Sequence, residues 1–331
     1  PSTLPATRFG ASPHEWIRWM EDTGSGCGGD SLTVCGMHVH LHGYSAADRR
    51  TALGQALTVV DAAGELGHRP EFVDLGGGVP MSYLDDAEQW EAFLRERARV
   101  AVRDSGMPAD EGFTWKDDPL RTIYPFHQGP VRGGWLRDLL TGPVAVGDVT
   151  ATAADALTGR GLRLHLEPGR SVLDGVGMTL ARVAFLKERS DGVPLIGLEM
   201  NRTQCRTTSD DFLADPVLVR CGPGTGRTGA RSGFLVGAYC IEDEVILRRR
   251  VTFPDGVEVG DVVALPNTGG YYMHILESAS HQIPLAVNLV TAESTGVPGA
   301  HGTGGRVSRG RGADQGTVFP PLRFVVDPVD R

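Results

Sequence analysis

Three histidines alternate with other residues in GMHVHLHGY, residues 36–44. Alternate side chains of a β-strand point to the same side, so His38, His40 and His42 would share one face. Such a row could bind zinc, because imidazole is a common zinc ligand. It could also place one ring against a planar cofactor. A zinc site needs further ligands on later strands. The candidates are Asp74 and His165, with Glu167 on the same strand face as His165, and this is too thin a ligand set, so we predict no metal.

In two further stretches, an apolar run is followed by residues that could bind an anion. FVDLGGGVP has glycines at 76–78, where backbone N–H groups can approach a phosphate and positive φ is allowed. A tight turn is the alternative. In HLEPGRS, Gly169 and Arg170 could reach a phosphate while Glu167 bonds a cationic group. A solvated ion pair is the alternative there.

The composition is that of a globular protein, with 331 residues, 40% hydrophobic and 22% charged. A net charge of −9 disfavours a nucleic-acid partner, because no basic excess exists to neutralise phosphates. Five cysteines without a CxxC pair are typical of a reducing compartment. No apolar run reaches the ~20 residues of a membrane span, and no signal peptide is evident. We therefore expect a cytoplasmic protein with no membrane partner.

Strands and helices alternate through the first half of the sequence. The expected elements are a helix from 12, a strand at 31–41, a helix at 45–67, a strand at 71–80, a helix at 85–106, an irregular excursion at 107–148, a helix near 150–159 and a strand at 162–171. This order predicts parallel strands with helical crossovers. The histidines, the glycines and EPGR all fall at the carboxyl ends of strands, where parallel sheets bind ligands.

The pattern changes after about residue 175, where short β-type runs are separated by Gly, Pro and Asp. We predict two domains, an α/β domain at 1–175 and a mostly antiparallel β domain at 176–331. The second domain includes a Gly- and Arg-rich loop at 293–316. A lone cysteine, Cys240, lies in this part beside acidic residues, and such a cysteine is usually a small core residue.

Six segments in this order resemble the fold-type III pyridoxal phosphate-dependent enzymes, specifically the diaminopimelate, ornithine and arginine decarboxylase group. They are TRFG, GMHVHLHG, FVDLGGGVP, LEPGRSV, GAYCIEDEVI and NTGGYY with the residues after it. The resemblance implies part of an alanine-racemase-like (β/α)8 barrel followed by the β domain. It also implies an amino-acid decarboxylase, a carbon–carbon lyase in which the external aldimine of the substrate loses CO2. A racemase or epimerase and a non-catalytic cofactor-binding homologue are the alternatives.

The resemblance also implies roles for individual residues. His40 would stack on the pyridine ring, and Glu167 would bond the ring nitrogen and keep it protonated. Cys240 would enter the active site of the partner subunit in a head-to-tail homodimer and return a proton after decarboxylation. Glu244 falls where the family has an acid that contacts the substrate. The implied residues that bind pyridoxal 5'-phosphate are His40, Gly76, Gly77, Gly78, Glu167, Gly169, Arg170 and Tyr271.

The chain departs from the family pattern in several places. The family's Schiff-base lysine follows an early strand, whereas the only lysines here are Lys116 and Lys187, in other contexts. About 175 residues precede the β-type part, and a full barrel takes ~250 residues. We therefore expect the first part of the barrel, with its lysine, in a segment not present here. Ile241 and Asn267 replace acidic family residues, so the amino acid used as substrate is not assigned.

Overall fold

The computed structural model describes residues 8–23, 32–101, 112–120, 124–206, 214–222, 229–292 and 323–326. The chain divides after Glu277 into two units, 1–277 and 278–331, each with its own internal contacts. Among the described helices none is long and apolar enough to cross a membrane.

The helices are α1 Pro13–Thr23, α2 Ala46–Glu65, α3 Ala87–Ala101, α4 Arg132–Thr141 and α5 Ala153–Thr158. The strands of the first unit are β1 Gly36–His38, β2 Phe72–Asp74, β3 Pro143–Val146, β4 Val149–Thr152, β5 Arg163–His165, β6 Met178–Glu188, β7 Pro194–Leu198, β8 Val217–Val219, β9 Arg231–Val236, β10 Val251–Phe253 and β11 Val262–Pro266. The second unit contains the antiparallel pair β12 Leu289–Ala292 and β13 Arg323–Val326. Short 3-10 helices lie at Trp115–Asp117, Gly169–Val172 and Ser280–Gln282.

Three short parallel strands, in the order β1-β2-β5, carry the residues that the sequence singled out. Their register aligns His38 with Asp74 and Asp74 with His165. The three strands therefore end at the same level, and the segments that follow them emerge together at one edge of the sheet. This confirms the expected parallel strands, although each is shorter than the predicted run.

Helices α1 and α2 begin where the sequence predicts, because their first residues satisfy free backbone donors. The Ser12 backbone N–H donates to the Glu15 carboxylate at 2.7 Å, and the Glu15 N–H donates to Ser12 Oγ at 3.3 Å. Ser45 Oγ accepts from the Asp48 N–H at 3.1 Å. Helix α2 then buries one apolar face in a core that also contains β2, α4 and α5.

The expectation of an irregular segment at 107–148 is wrong for its second half, which contains α4 and β3. Strand β4 pairs with β3 and occupies the start of the helix expected near 150–159, so α5 begins only at Ala153. Gly133 and Gly134 weaken the helical pattern because glycine has low helix propensity. Burial compensates, since Trp135 and Leu139 lie one turn apart and are both almost inaccessible. The Trp135 indole N–H also donates to the Tyr44 carbonyl at 2.8 Å.

The six-stranded sheet has the order β10-β9-β7-β6-β11-β8. All its neighbouring strands are antiparallel except β7 and β9. The fold class predicted from the sequence, a partial alanine-racemase-like barrel followed by a mostly antiparallel β domain, matches this arrangement. One apolar core contains residues on both sides of the predicted domain boundary, including Phe126 and Val183. The boundary at 175 stays a prediction, and the loop at 293–316 lies outside the described residues.

Arg49 of α2 is a charged residue inside the α/β core, with 1% of its surface accessible. Its guanidinium group donates to four backbone carbonyls that lie on three neighbouring segments of the chain. The acceptors are Ser45 at 3.3 Å, Leu41 at 3.4 Å, Gly43 at 2.8 Å and Gly77 at 2.8 Å. One side chain therefore ties the segment after β1 and the glycines after β2 to the start of α2.

Replacing Arg49 with Met keeps much of the side-chain volume but leaves these carbonyls without a donor. We expect the free energy of unfolding to fall by roughly 2–4 kcal/mol. Urea denaturation followed by tryptophan fluorescence measures the change. Arg137→Met, at an exposed position of α4, is the control and should change stability by about 0.5 kcal/mol or less. Equal losses in the two variants would contradict the role of Arg49.

Candidate active site

Backbone hydrogen bonds continue past the ends of the three parallel strands and fix the segments that follow them. The Val39 N–H donates to the Asp74 carbonyl at 2.8 Å, and the Leu75 N–H donates to the His165 carbonyl at 3.1 Å. The Glu167 N–H then donates to the Gly76 carbonyl at 2.9 Å. The segments carrying His40, the glycines and Glu167 are therefore adjacent at one edge.

His40 and Glu167 face each other across this edge. The His40 Nδ1 atom lies 3.7 Å from Glu167 Oε2, and the two side chains are 57% and 54% exposed. The Gly77 N–H points at the same Nδ1 atom from 3.5 Å. An accessible imidazole beside an accessible carboxylate fits a planar ligand that carries a protonated ring nitrogen.

The three glycines after β2 are required by close contacts. A Cβ atom at Gly76 would lie 2.6 Å from His40 Nδ1, and one at Gly77 would lie 3.2 Å from the Glu167 carbonyl oxygen. A Cβ atom at Gly78 would lie 2.1 Å from Arg49 Nη2. Gly76 and Gly78 also have positive φ, 63° and 76°. Larger residues would fill the space beside His40, so the loop fits the predicted cradle for an anionic group.

Arg170 lies among tyrosine rings at the other end of the edge. Its guanidinium carbon is 4.1 Å from the ring centre of Tyr124 and 5.3 Å from that of Tyr271, and Nη1 donates to Tyr83 Oη at 3.4 Å. Burial raises the pKa of the Tyr83 and Tyr124 hydroxyls, so both rings stay neutral. A Cβ atom at Gly169 would lie 2.7 Å from Tyr271 Oη. Arg170, Gly169 and Tyr271 thus form one contact group.

Asn267 precedes this group and lies where the resemblance implies an acid. Its φ is 57°, a left-handed conformation that asparagine tolerates better than most residues. Its amide donates to Asp174 Oδ1 at 3.0 Å and accepts from the Gly175 N–H at 2.9 Å. These bonds attach the start of the Tyr271 segment to the chain that follows Arg170.

Cys240 and Glu244 are not among the described contacts of the His40–Glu167 edge. Cys240 is exposed and forms no disulfide. The Glu244 side chain is buried, and its carboxylate accepts from the Arg202 backbone N–H at 2.8 Å. Burial raises the pKa of Glu244 above its usual value. Within this chain Glu244 is turned inward, and its role as a substrate contact stays a prediction.

The two lysines lie elsewhere in the fold. Lys116 is 43% exposed, and its Nζ atom lies 3.3 Å from Glu242 Oε1. Lys187 is exposed on β6. Neither occurs in the described contacts of His40 or Glu167, and the place of the Schiff-base lysine stays a prediction.

Sequence reasoning did not identify Arg49, nor Tyr83 and Tyr124 beside Arg170. An arginine within the apolar pattern of α2 was the available signal for Arg49, because such a charge is buried only with partners. The tyrosines reach Arg170 from segments that are remote along the chain. No local spacing indicates that contact.

Residues 2–108 match the family model described as pyridoxal-dependent decarboxylase, pyridoxal binding domain. An uncharacterized protein, y4yA of Sinorhizobium fredii, is 29% identical over 295 residues, which are 88% of this chain and 60% of that protein. A diaminopimelate decarboxylase of Actinosynnema pretiosum is 33% identical over 251 residues, 75% of this chain and 44% of that enzyme. The chain thus spans about half the length of these relatives.

Solved structures of two decarboxylases share the fold. A diaminopimelate decarboxylase from Helicobacter pylori, complexed with L-lysine, is 16% identical and has a TM-score of 0.54, with 86% of this chain and 56% of that chain covered. An arginine decarboxylase from Paramecium bursaria Chlorella virus, bound to agmatine, is 17% identical and has a TM-score of 0.52, with 83% and 58% covered. These likenesses confirm the predicted fold class, and the family match confirms pyridoxal phosphate as the cofactor class.

Replacing Gly78 with Ala should destabilise the chain, because the new methyl group meets Arg49 and the backbone must keep a positive φ. We expect the free energy of unfolding to fall by about 2–4 kcal/mol. Gly64→Ala is the control, since a Cβ atom there meets nothing within 4 Å on helix α2. That change should be neutral or stabilise by up to ~1 kcal/mol. Similar urea midpoints for the two variants would refute the close packing at Gly78.

Proposed function

We propose that this chain, a relative of the fold-type III pyridoxal phosphate-dependent decarboxylases, binds pyridoxal phosphate at the His40–Glu167 edge and acts in amino-acid decarboxylation. The observation that carries the proposal is the common level at which β1, β2 and β5 end. This register brings an accessible imidazole, a glycine loop and an accessible carboxylate together. The family match supports the cofactor class independently of the geometry.

Each residue of the edge would make one kind of contact with the cofactor. The His40 imidazole would support the flat face of the pyridine ring, and the Glu167 carboxylate would hold the proton at the ring nitrogen. The N–H groups of Gly76, Gly77, Gly78 and Gly169, with Arg170 and Tyr271, would hold the phosphate. When bound, pyridoxal phosphate supplies an electron sink for the charge left by the departing carboxylate.

The surroundings of Arg170 fix its position for this role. Its guanidinium group is charged at any pH near neutrality. The aromatic contacts and the hydrogen bond to Tyr83 fix its orientation. Its positive charge would then be available to a phosphate group close to Gly169.

Cys240 would supply a proton to the substrate carbon after CO2 leaves, within the active site of a partner subunit. Two arginines support the loop that carries this cysteine. Arg248 donates to both Asp243 oxygens, at 2.9 and 3.1 Å, and Arg202 donates to the Asp243 carbonyl at 3.1 Å. A firmly held, exposed thiol fits a proton donor that acts outside its own chain. The head-to-tail homodimer is part of this proposal.

The substrate would be an amino acid whose identity is open, because Ile241 and Asn267 replace acids that the family pattern contains. The positions of Lys116 and Lys187 favour a second candidate, a cofactor-binding homologue without catalysis. Racemisation on the same fold is an alternative outcome of the assays below. A cytoplasmic location is proposed with this function, supported by the four described cysteines, none of which forms a disulfide.

Replacing Glu167 with Gln removes the charge that would hold the pyridinium proton. We expect the affinity for pyridoxal phosphate to fall about 10- to 100-fold, the worth of one charge-assisted hydrogen bond. Equilibrium dialysis with absorbance detection measures binding by the full chain. Glu65→Gln, an exposed residue in the last turn of α2, is the control. Unchanged affinity in Glu167→Gln, or no binding by the unaltered chain, would contradict the proposed site.

Replacing Cys240 with Ala should leave the affinity for pyridoxal phosphate unchanged and lower the yield of amine per CO2 released. The physical reason is that the thiol would donate a proton only after the bond to the carboxylate breaks. Screening L-amino acids for CO2 release and for amine gives both quantities, with a protein that also contains the segment expected to carry the Schiff-base lysine. Cys221→Ala, another exposed free cysteine, is the control. Cofactor binding without CO2 release would favour the non-catalytic homologue, and epimerised product would favour racemisation.

A further inference from the structure

His38, like His42, has no part in the proposed cofactor contacts. It ends β1, and its side chain is 50% exposed. Its ring centre lies 6.0 Å from that of His40, with the two planes inclined by 40°. Two accessible imidazoles therefore lie side by side, although β1 ends at His38 and His40 follows it.

Glu167 completes a group of three possible metal ligands. One ligand atom from each of His38, His40 and Glu167 lies within 4.8 Å of the other two. Two imidazoles and one carboxylate are a recurrent ligand set for zinc and for other divalent transition metals. Tetrahedral ligand atoms that are each about 2.1 Å from a metal lie roughly 3.4 Å from one another. The three ligand atoms would therefore have to approach one another by little more than about 1 Å to bind an ion.

Asp74 lies beside His38, one member of this group. Its Oδ1 atom accepts from the Gly76 N–H at 2.8 Å, and its Oδ2 atom lies 3.6 Å from His38 Nδ1. A carboxylate beside one ring nitrogen orients a histidine and increases the basicity of the other nitrogen. The Asp74 side chain is 17% exposed, so this partner is more sheltered than the three ligands.

We propose that His38, His40 and Glu167 bind one divalent transition-metal ion when pyridoxal phosphate is absent. The metal and the cofactor then exclude each other, since His40 and Glu167 serve both. The metal site stands on the geometry alone, and the exclusion rests on the proposed function. A metal-loaded chain would be held in a form that cannot take up the cofactor.

Cobalt(II) is the probe, because its visible absorption reports both binding and ligand type. The untagged 331-residue chain is titrated with Co2+ without cofactor, alongside His38→Asn and His42→Asn. His42 is exposed on the same stretch and lies outside the ligand group, so it is the matched control. Mutation of a residue that only hydrogen-bonds a metal ligand typically lowers metal affinity by about 10- to 100-fold. His38 would be a ligand itself, so we expect His38→Asn to weaken Co2+ binding by at least that factor. His42→Asn should bind as the unaltered chain does.

Equal Co2+ affinity in the two variants would overturn the site, and so would a thiolate-to-cobalt charge-transfer band, which would indicate cysteine ligands. Circular dichroism and urea midpoints of the variants establish that a loss of binding is not unfolding. Added pyridoxal phosphate should release the bound Co2+, and its retention with cofactor bound would refute the exclusion. A chain that binds Co2+ but no pyridoxal phosphate would refute the proposed function and leave the metal site supported.

Discussion

The buried guanidinium group of Arg49 is the interaction on which the arrangement of the edge depends. It donates to carbonyls after β1, after β2 and at the start of α2, so it fixes three backbone segments that no regular secondary structure joins. Burial lowers the pKa of Arg49, which reflects the cost of placing a charge in the core. The carbonyl dipoles offset that cost only when all three segments are in place. The same contact explains why Gly78 has no side chain.

At this edge the side chains that would bind a ligand are exposed, and the side chains that fix the backbone are sheltered. His40 and Glu167 are more than half exposed, whereas Arg49 and Asp74, which hold the neighbouring backbone, are sheltered. Exposed groups on the segments after short strands can contact a ligand because the buried residues below fix the backbone that carries them. The arrangement also lets one pair of side chains serve two kinds of ligand, a planar cofactor or a metal ion.

Much of the fold could be predicted because local rules and burial agree. The capping box of Ser12 and Glu15 and the cap at Ser45 mark helix starts that the structure confirms. Helix α4 was missed because its glycines lower local propensity while Trp135 gains its burial from remote segments. The burial of the Glu244 side chain could not be predicted either, because its hydrogen-bond partner Arg202 lies 42 residues away in the chain.

The sequence by itself determined that His38 and His40 lie at the end of one strand, that glycines follow a buried strand and that Glu167 follows another, because strand alternation and glycine chemistry are local. It also carried the family resemblance, in motifs whose order the chain preserves. Only the tertiary structure decided that His38 and His40 meet Glu167, that Arg170 lies among tyrosines and that Arg49 joins the loops. Those contacts depend on strand register and on packing between remote segments, which a one-residue shift would change without altering any local pattern.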